Sequence, residues 1–474
     1  MDLSLNLQNT QAITRRHFFG QAGLGFGSIA LNHLLASNGY AAKEKGFQIP
    51  AKAKSIIYLH MAGSPSQIDL FENKPALTKF HGKDCPKEYL EGKRFAFIKG
   101  TPKMMGPVFD YKKHGQSGQW VSELLPGLSS VIDDVCVIRS MNTEQFNHSP
   151  AQLLLQTGNS LLGSPSMGSW VTYGLGSSNE NLPGFVVLAS GGKTPSAGKS
   201  LWGSGFLPTL YQGVQCRTDG GDPILYLSDP KGLNRKARRK TLDAIRDLNE
   251  YQHKHVGDPE TLTRISQYEM AFRMQSSVPE LTDLGTESKA TLEMYGPNVQ
   301  KPGTYAHSAI LTRRLIERGV RTVQILHRGW DQHGNLPKLI KGQCMDVDQP
   351  TAALVKDLKQ RGLLEDTLVV FGGEFGRTVY CQGKLSRENY GRDHHPRNFC
   401  MWMAGGGVKA GTTYGETDDF SYNITENPVH LNEINATIMH CLGIDNHRFT
   451  FPFQGLQQRL TGVEDAYPVQ GILA

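Results

Sequence analysis

The stretch SAILTRRLIERGVRTVQILHRGWDQHGN, Ser308 to Asn335, decides the reading of the fold. Ile310, Leu311, Leu315 and Ile316 recur at helical spacing and mark one apolar face. Gly319 supplies a helix stop, and VRTVQIL, Val320 to Leu326, is the β-rich run that follows it. The strand then gives way to a polar loop carrying Asp331 and His333. Helix, strand and chemistry-bearing loop thus follow one another without a spacer.

The same order recurs on both sides. DQPTAALVKDLKQRGLLEDTLVVFGGEFGR, Asp348 to Arg377, places a helix through Leu354 and Leu358, then the strand TLVVF, then a glycine-rich loop with Glu374. KSIIYLHMAGSPSQIDLF, Lys54 to Phe71, opens with a strand from Ser55 to His60 and turns at Gly63-Ser64-Pro65 toward Asp69. RNFCMWMAGGGVKAG, Arg397 to Gly411, and LNEINATIMHCLGI, Leu431 to Ile444, give a further strand and a further helix. Strands alternating with helices of this length imply an α/β fold, a mostly parallel central sheet covered on both faces. Ligands of such sheets bind beyond the carboxyl ends of the strands. Asp69, Asp331, His333 and Glu374 are therefore expected along one edge of the sheet.

GRDHHPRN, Gly391 to Asn398, adds Asp393, His394 and His395 in what reads as a tight loop. Mixed imidazoles and carboxylates suit a divalent ion such as zinc or manganese, whereas a calcium site wants more oxygen and fewer histidines. The middle segment, 191–303, begins with a glycine- and proline-rich run and continues into a charged helical region; it reads as an insertion or cap on the main domain, 43–474. NHSPAQLLLQTGNS, Asn147 to Ser160, reads as a helix opened at Ser149-Pro150 and closed at Thr157-Gly158, with His148 at its start.

Composition limits the alternatives. With 38% hydrophobic and 20% charged residues over 474 positions, the chain can bury a sizeable core. A formal charge of +6 and one basic block, RKARRK from Arg235 to Lys240, without interleaved aromatics, exclude an obvious nucleic-acid surface. The block reads as the solvated face of a helix. Seven widely spaced cysteines without a C-x-x-C pair read as buried thiols rather than a disulfide framework. AGGGVKAG, Ala404 to Gly411, lacks the spacing of a phosphate-binding loop, and no G-x-S-x-G elbow is present. At the N-terminus, Arg15-Arg16 precede Phe18-Phe19, a moderately apolar glycine-rich run, and small residues at Ala41-Ala42. This is the pattern of a twin-arginine export signal over residues 1–42, which implies a partner in the twin-arginine translocation machinery and a periplasmic or extracellular protein. Gln21, Asn32 and His33 interrupt the run, so no stable membrane span is expected.

Together these motifs carry a resemblance. The twin arginine, the GSPSQIDLF loop, NH…TG, GWD-x-H, GGEFGR, GRDHHP and the ATIMHCLG helix resemble the family called domain of unknown function 1501, over residues 14 to about 460. That family is similar in turn to the alkaline phosphatase and sulfatase-like superfamily. The resemblance implies an alkaline phosphatase-like fold with one or two divalent ions and displacement at a phosphoryl or sulfuryl centre. Set against sulfatase motifs, Pro150, Thr157 and Gly158 fall in register, His148 falls on the nucleophile and Gln152 on the arginine. Glu374 falls on a metal-ligating aspartate, and Phe375 replaces a histidine. The resemblance implies one metal site from Asp331, His333 and His394 or His395, and a second that is degraded or rebuilt from Asp69, His148 and Glu374.

His148 has three open roles: metal ligand, covalent nucleophile, or general acid/base. Asn147 is a candidate to orient an oxyanion, and Arg377 or Arg392 to stabilise the transferring group. Ser64 and Ser149 are reserve nucleophiles. The expected function is an exported metal-dependent hydrolase of phosphate or sulfate esters, acting on a small-molecule or polysaccharide substrate. The alternative is a metal- or glycan-binding relic of the same fold.

Overall fold

A computed structural model describes residues 48–91, 100–190, 194–217, 234–386 and 390–474. The expected signal, 1–42, lies outside the described residues, as do 191–193 and 218–233 of the middle segment.

Among the described residues the central sheet has nine strands. In chain order these are β1 (Ser55–Ala62), β2 (Val135–Asn142), β3 (Phe185–Ser190), β4 (Val214–Cys216), β5 (Thr322–Arg328), β6 (Thr367–Gly372), β7 (Phe399–Gly405), β8 (Thr412–Tyr414) and β9 (Val429–His430). They lie in the order β8-β2-β7-β6-β1-β5-β3-β4, with β9 also paired to β2. All run parallel except β7, which is antiparallel to both β2 and β6.

The central strands are buried on both faces, as their unbroken apolar runs require. Ile57, Leu59, Val323, Ile325 and Val369 point to one side and join the cluster that includes Ala309, Ile310, Ile340 and Leu354. These last come from the helices Tyr305–Glu317 and Leu336–Gln360. Ile56, Tyr58, Leu368 and Val370 point to the other side, against Leu154, Leu155, Trp170, Val171, Ile434 and Ile438. Those residues belong to α1 (His148–Thr157), α2 (Met167–Leu175) and α3 (Leu431–Cys441). The result is the expected helix–sheet–helix sandwich.

Two expectations change. GRDHHPRN is not a tight loop: Gly391–His395 is a strand, paired antiparallel with Gly376–Gln382 in a hairpin outside the central sheet. The middle segment also contributes to the main sheet, because β4 extends its edge. Beyond it, RKARRK opens the helix Arg235–Val256, where Arg239 pairs with Asp243 and Glu269. All seven cysteines are buried, and none is in a disulfide among the described residues. No helix among the described residues is long and apolar enough to cross a membrane.

Candidate metal centre

Three parallel strands, one helix and the 376–395 hairpin deliver the site. β5 ends at Arg328 and releases Asp331 and His333; β6 ends at Gly372 and releases Glu374; β1 ends at Ala62 and releases the Gly63–Ser66 turn. α1 presents His148 at its first position, and its C-cap Gly158 takes a left-handed φ of 67°. The turn after β1 is tight. A Cβ on Gly63, at φ +105°, would stand 2.5 Å from the Asp331 backbone nitrogen. A Cβ on Gly391 would stand 2.0 Å from the His333 carbonyl carbon, so glycine there lets the 376–395 hairpin close over the site.

His148, Asp331, His333 and His394 each offer a ligand atom, all within 4.8 Å of one another. Three imidazoles face one oxygen: Asp331 Oδ1 lies 3.2 Å from His148 Nε2, 2.9 Å from His333 Nε2 and 3.4 Å from His394 Nε2. The opposite ring nitrogens are anchored. His148 Nδ1 lies 2.7 Å from Glu374 Oε1, His394 Nδ1 lies 2.6 Å from the Phe146 carbonyl, and His333 Nδ1 bonds Gln382 Oε1. A carboxylate, a carbonyl and an amide oxygen accept only, so each Nδ1 carries the proton and each neutral ring turns its Nε2 lone pair inward. Lone pairs converging on a carboxylate repel unless a cation sits among them. A tetrahedron with bonds of about 2.0–2.1 Å has edges of about 3.3–3.4 Å, close to the three nitrogen–oxygen separations here.

The residues therefore fit a divalent ion, with His148, Asp331, His333 and His394 as ligands and Glu374, Gln382 and the Phe146 carbonyl holding the rings behind them. A proton on His148 would relieve the same repulsion. Burial disfavours charge on His148, but the bonds to Asp331 and Glu374 outweigh it and raise its pKa to about 9. The Asp331 carboxyl is held well below the usual range: burial opposes its charge, and His148, His333, His394 and Arg377 together overcome that. Glu374 is lowered in the same way, against full burial, by His148 and His60.

The site is open on one side. The Asp331 side chain is 43% exposed and that of His333 31%, while Glu374 is sealed. Phe375 packs against His148 and His394, with ring centroids 4.9 and 4.5 Å away.

The other expected site residues fall elsewhere. His395 is not in the group. Neighbouring strand residues point to opposite faces, so His394 turns to Asp331 while His395 turns to the Tyr422 carbonyl, 2.8 Å from its Nε2. Asp69 is not brought to the metal group either. It lies in the helical turn Gln67–Leu70, fully buried, bonded to Arg392 at 2.8 and 3.2 Å and to Ser66 Oγ at 2.5 Å. No second site forms from Asp69, His148 and Glu374. Arg392 gives its remaining donors to the Met105, Gly106 and Thr378 carbonyls.

Arg377 is fully buried and committed. It donates to Asp331 Oδ1 at 2.8 Å, to the Ser64 and Arg392 carbonyls at 3.2 Å, to the Trp330 carbonyl at 3.4 Å, and to the Gly63 carbonyl. Its place is behind Asp331 rather than toward a substrate. Asn147 is exposed at the N-cap of α1 with no capping bond. Ser64 is fully buried, its hydroxyl accepting from Phe375 N, which removes it as a nucleophile.

Two residues stand behind Glu374: His60, which the sequence did not mark, and Gln152, which it placed only at the position of the sulfatase arginine. His60 Nε2 lies 3.4 Å from Glu374 Oε2, and Gln152 Nε2 donates to Oε1 at 2.9 Å. His60 sits within an apolar strand and Gln152 one helical turn after His148; their burial is visible only once β1 and α1 are packed together.

A family model described as "Protein of unknown function (DUF1501)" matches residues 53–473. The chain belongs to this family. A search of curated proteins gives no match. Among solved structures, the chain is similar to the alkaline phosphatase of the Antarctic bacterium TAB5, with 11% identity, 84% of this chain and 99% of that chain covered, and a TM-score of 0.35. It is also similar to the PsFucS1 sulfatase from Pseudoalteromonas sp., with 13% identity, 93% and 76% covered, TM-score 0.35. The phosphonate monoester hydrolase SpPMH from Silicibacter pomeroyi gives 10% identity, 89% and 76% covered, TM-score 0.32. Likenesses this distant decide neither substrate nor chemistry for this DUF1501 protein, which rest on the site itself.

Proposed function

We propose that this protein is an exported, metal-dependent hydrolase of phosphate or sulfate esters. One observation carries the metal: three Nε2 atoms, each with its Nδ1 proton tied to an acceptor, converge on Asp331 Oδ1 at a solvent-open edge. Three imidazoles and one carboxylate favour zinc or manganese over calcium. A divalent ion bound there supplies Lewis-acid polarisation of the ester and activation of water.

The chain's own residues then divide the work. His148 is assigned as a ligand rather than a covalent nucleophile, because Glu374 holds its Nδ1 and its Nε2 lone pair joins those of His333 and His394 around Asp331. With Ser64 buried, displacement falls to water or to Ser149, half-buried at the second position of α1. Asn147, exposed beside His148, is the candidate to orient a substrate oxygen. Arg377 and Arg392 hold the walls of the site and leave the transferring group to the ion. The family resemblance supports ester chemistry, and the export pattern at Arg15-Arg16 supports a periplasmic or extracellular substrate, carbohydrate-linked or small.

A second reading has its own observation. Four protein ligands match the count of a closed structural site, which would hold an ion without turnover. Exposure of Asp331 favours the catalytic reading, since structural sites are sealed. The test is to load the protein with zinc or manganese and screen phosphate and sulfate monoesters. Hydrolysis lost on chelation and restored by the ion supports the proposal. Stoichiometric binding that raises the melting temperature with no ester turned over supports the second reading.

A further inference from the structure

Behind Glu374, between the sheet and α1, lies a group of fully buried polar side chains with atoms that find no partner. His60 Nδ1, Tyr58 Oη, Gln156 Nε2 and both amide atoms of Gln324 make no hydrogen bond, and each residue is at most 1% exposed. Leaving such groups dry costs about 1–3 kcal/mol each, so native proteins pair them with protein or with ordered water.

Their positions are correlated. Tyr58 and His60 are two apart on β1 and face the same side of the sheet. Gln324 is the register partner of Tyr58 on the parallel strand β5, so it faces that side too. Gln152 and Gln156 are four apart on α1, which packs over this face. Two strand residues advance about 6.6 Å and four helix residues about 6 Å, so the two spacings match. The upper rung is His60, Gln152 and Glu374, joined by the bonds at 3.4 and 2.9 Å. The lower rung is Tyr58, Gln156 and Gln324. Burial first, and then the Glu374 charge, push the Tyr58 pKa up, so its hydroxyl stays a neutral donor.

We infer that these residues form a buried hydration site whose ligand is water, and that His60, seated on that water through Nδ1, is a positioning residue that fixes Glu374 and through it His148. Two acceptors, Gln324 Oε1 and His60 Nδ1, beside the Gln156 and Gln324 amide donors and the Tyr58 hydroxyl give bound water the two to four partners it needs. His60 donates from Nε2 to Glu374 Oε2, which leaves Nδ1 as an acceptor for that water. Glu374 Oε1 is then free to hold the His148 Nδ1 proton and keep Nε2 aimed at the ion. This assignment rests on the metal reading only in its second half.

The test uses the full chain. A crystal structure fine enough to show water should reveal ordered water within hydrogen-bond distance of Tyr58 Oη and His60 Nδ1. Direct side-chain bonds among Tyr58, Gln324 and Gln156, with no water, would overturn the hydration site. Zinc affinity, read by competition with a fluorescent chelator, tests the positioning. His60→Leu should weaken zinc binding roughly 10–100-fold, the scale of lost outer-shell support. His60→Gln, whose amide can still donate to Glu374, should recover most of it. A folded His60→Leu with unchanged zinc affinity would overturn the role. Should His60→Leu not fold, Tyr58→Phe decides: loss of the water with a several-fold weaker zinc affinity supports the inference, and unchanged affinity contradicts it. A wild type that binds no zinc would remove the metal reading, while the water in its crystal structure would still decide the hydration site.

Discussion

Arg377 Nη2 donates to Asp331 Oδ1 at 2.8 Å, the same oxygen that three imidazole nitrogens face. One guanidinium therefore joins the turn after β1, the loop after β5 and the hairpin strand Gly391–His395. Its five contacts leave it no freedom to reach a substrate. Arg377→Met should remove a buried cation and leave several carbonyls unpaired. The expected cost is about 3–5 kcal/mol of folding stability. Urea unfolding should show it as a lower midpoint, accompanied by weaker metal binding. An enzyme as stable as wild type with a selective loss of turnover would instead put Arg377 in contact with substrate.

Glu374 anchors His148 from full burial, held in turn by Gly63 N at 3.1 Å, Gln152 and His60. Glu374→Gln keeps the shape and loses the charge. Metal affinity should fall about 10–100-fold with all four ligands intact. Calorimetric titration with zinc checks this; an unchanged constant would mean that the Glu374 bond does not orient the ring.

The adjacent histidines of the hairpin should separate cleanly. His394→Asn should lose the ion with little effect on folding, because His394 faces the open site. His395→Asn should keep the ion but lower the melting temperature, because His395 is buried against Tyr422, with ring centroids 4.8 Å apart. Metal analysis beside thermal melts of both variants distinguishes them. The opposite pattern would reverse the assignment.

Much of this was legible in the sequence, and the gaps have identifiable causes. Helix and strand periods around Leu315, Val323, Leu358 and Val369 place the alternating core, and the strand-end rule places Asp331 and Glu374 at one edge. The rule fails for Asp69. It follows a strand, but a helical turn carries it inward to Arg392, and that ion pair spans more than three hundred residues. Adjacent histidines read as one cluster when GRDHHP is taken for a loop. As a strand, its two-residue period sends them to opposite faces. His60 was hidden for a different reason: a lone histidine within SIIYLHMA carries no periodic signal, and its partner Glu374 is 314 positions away.

His327 gives one part of the pH dependence; buried Asp348, its carboxyl pushed up to about 6, gives an opposing part that gains stability as pH falls below about 6. Burial lowers the His327 pKa from 6.5 to about 4, and Nδ1 accepts from Trp330 Nε1 at 3.1 Å, which holds the ring neutral. Exposed Asp346, 3.9 Å away, is too distant to compensate. A histidine depressed in the fold contributes stability that is complete above its unfolded pKa and is lost as pH falls. The window runs from about pH 6.5 down to about 4, and its depth is about 3 kcal/mol. His327→Gln, whose amide oxygen can accept from Trp330, should flatten that slope in denaturant titrations across the window. An equally steep slope in the variant would assign the acid sensitivity elsewhere.

The most direct test of the central claim is the metal content of the protein purified without chelators, measured by mass spectrometry beside Asp331→Ala and His148→Ala. The account predicts about one divalent ion per wild-type chain, lost in both variants while each stays folded. A wild type that is metal-free, folded and indifferent to both substitutions would contradict it, and would leave His148 as a buried charge between Asp331 and Glu374.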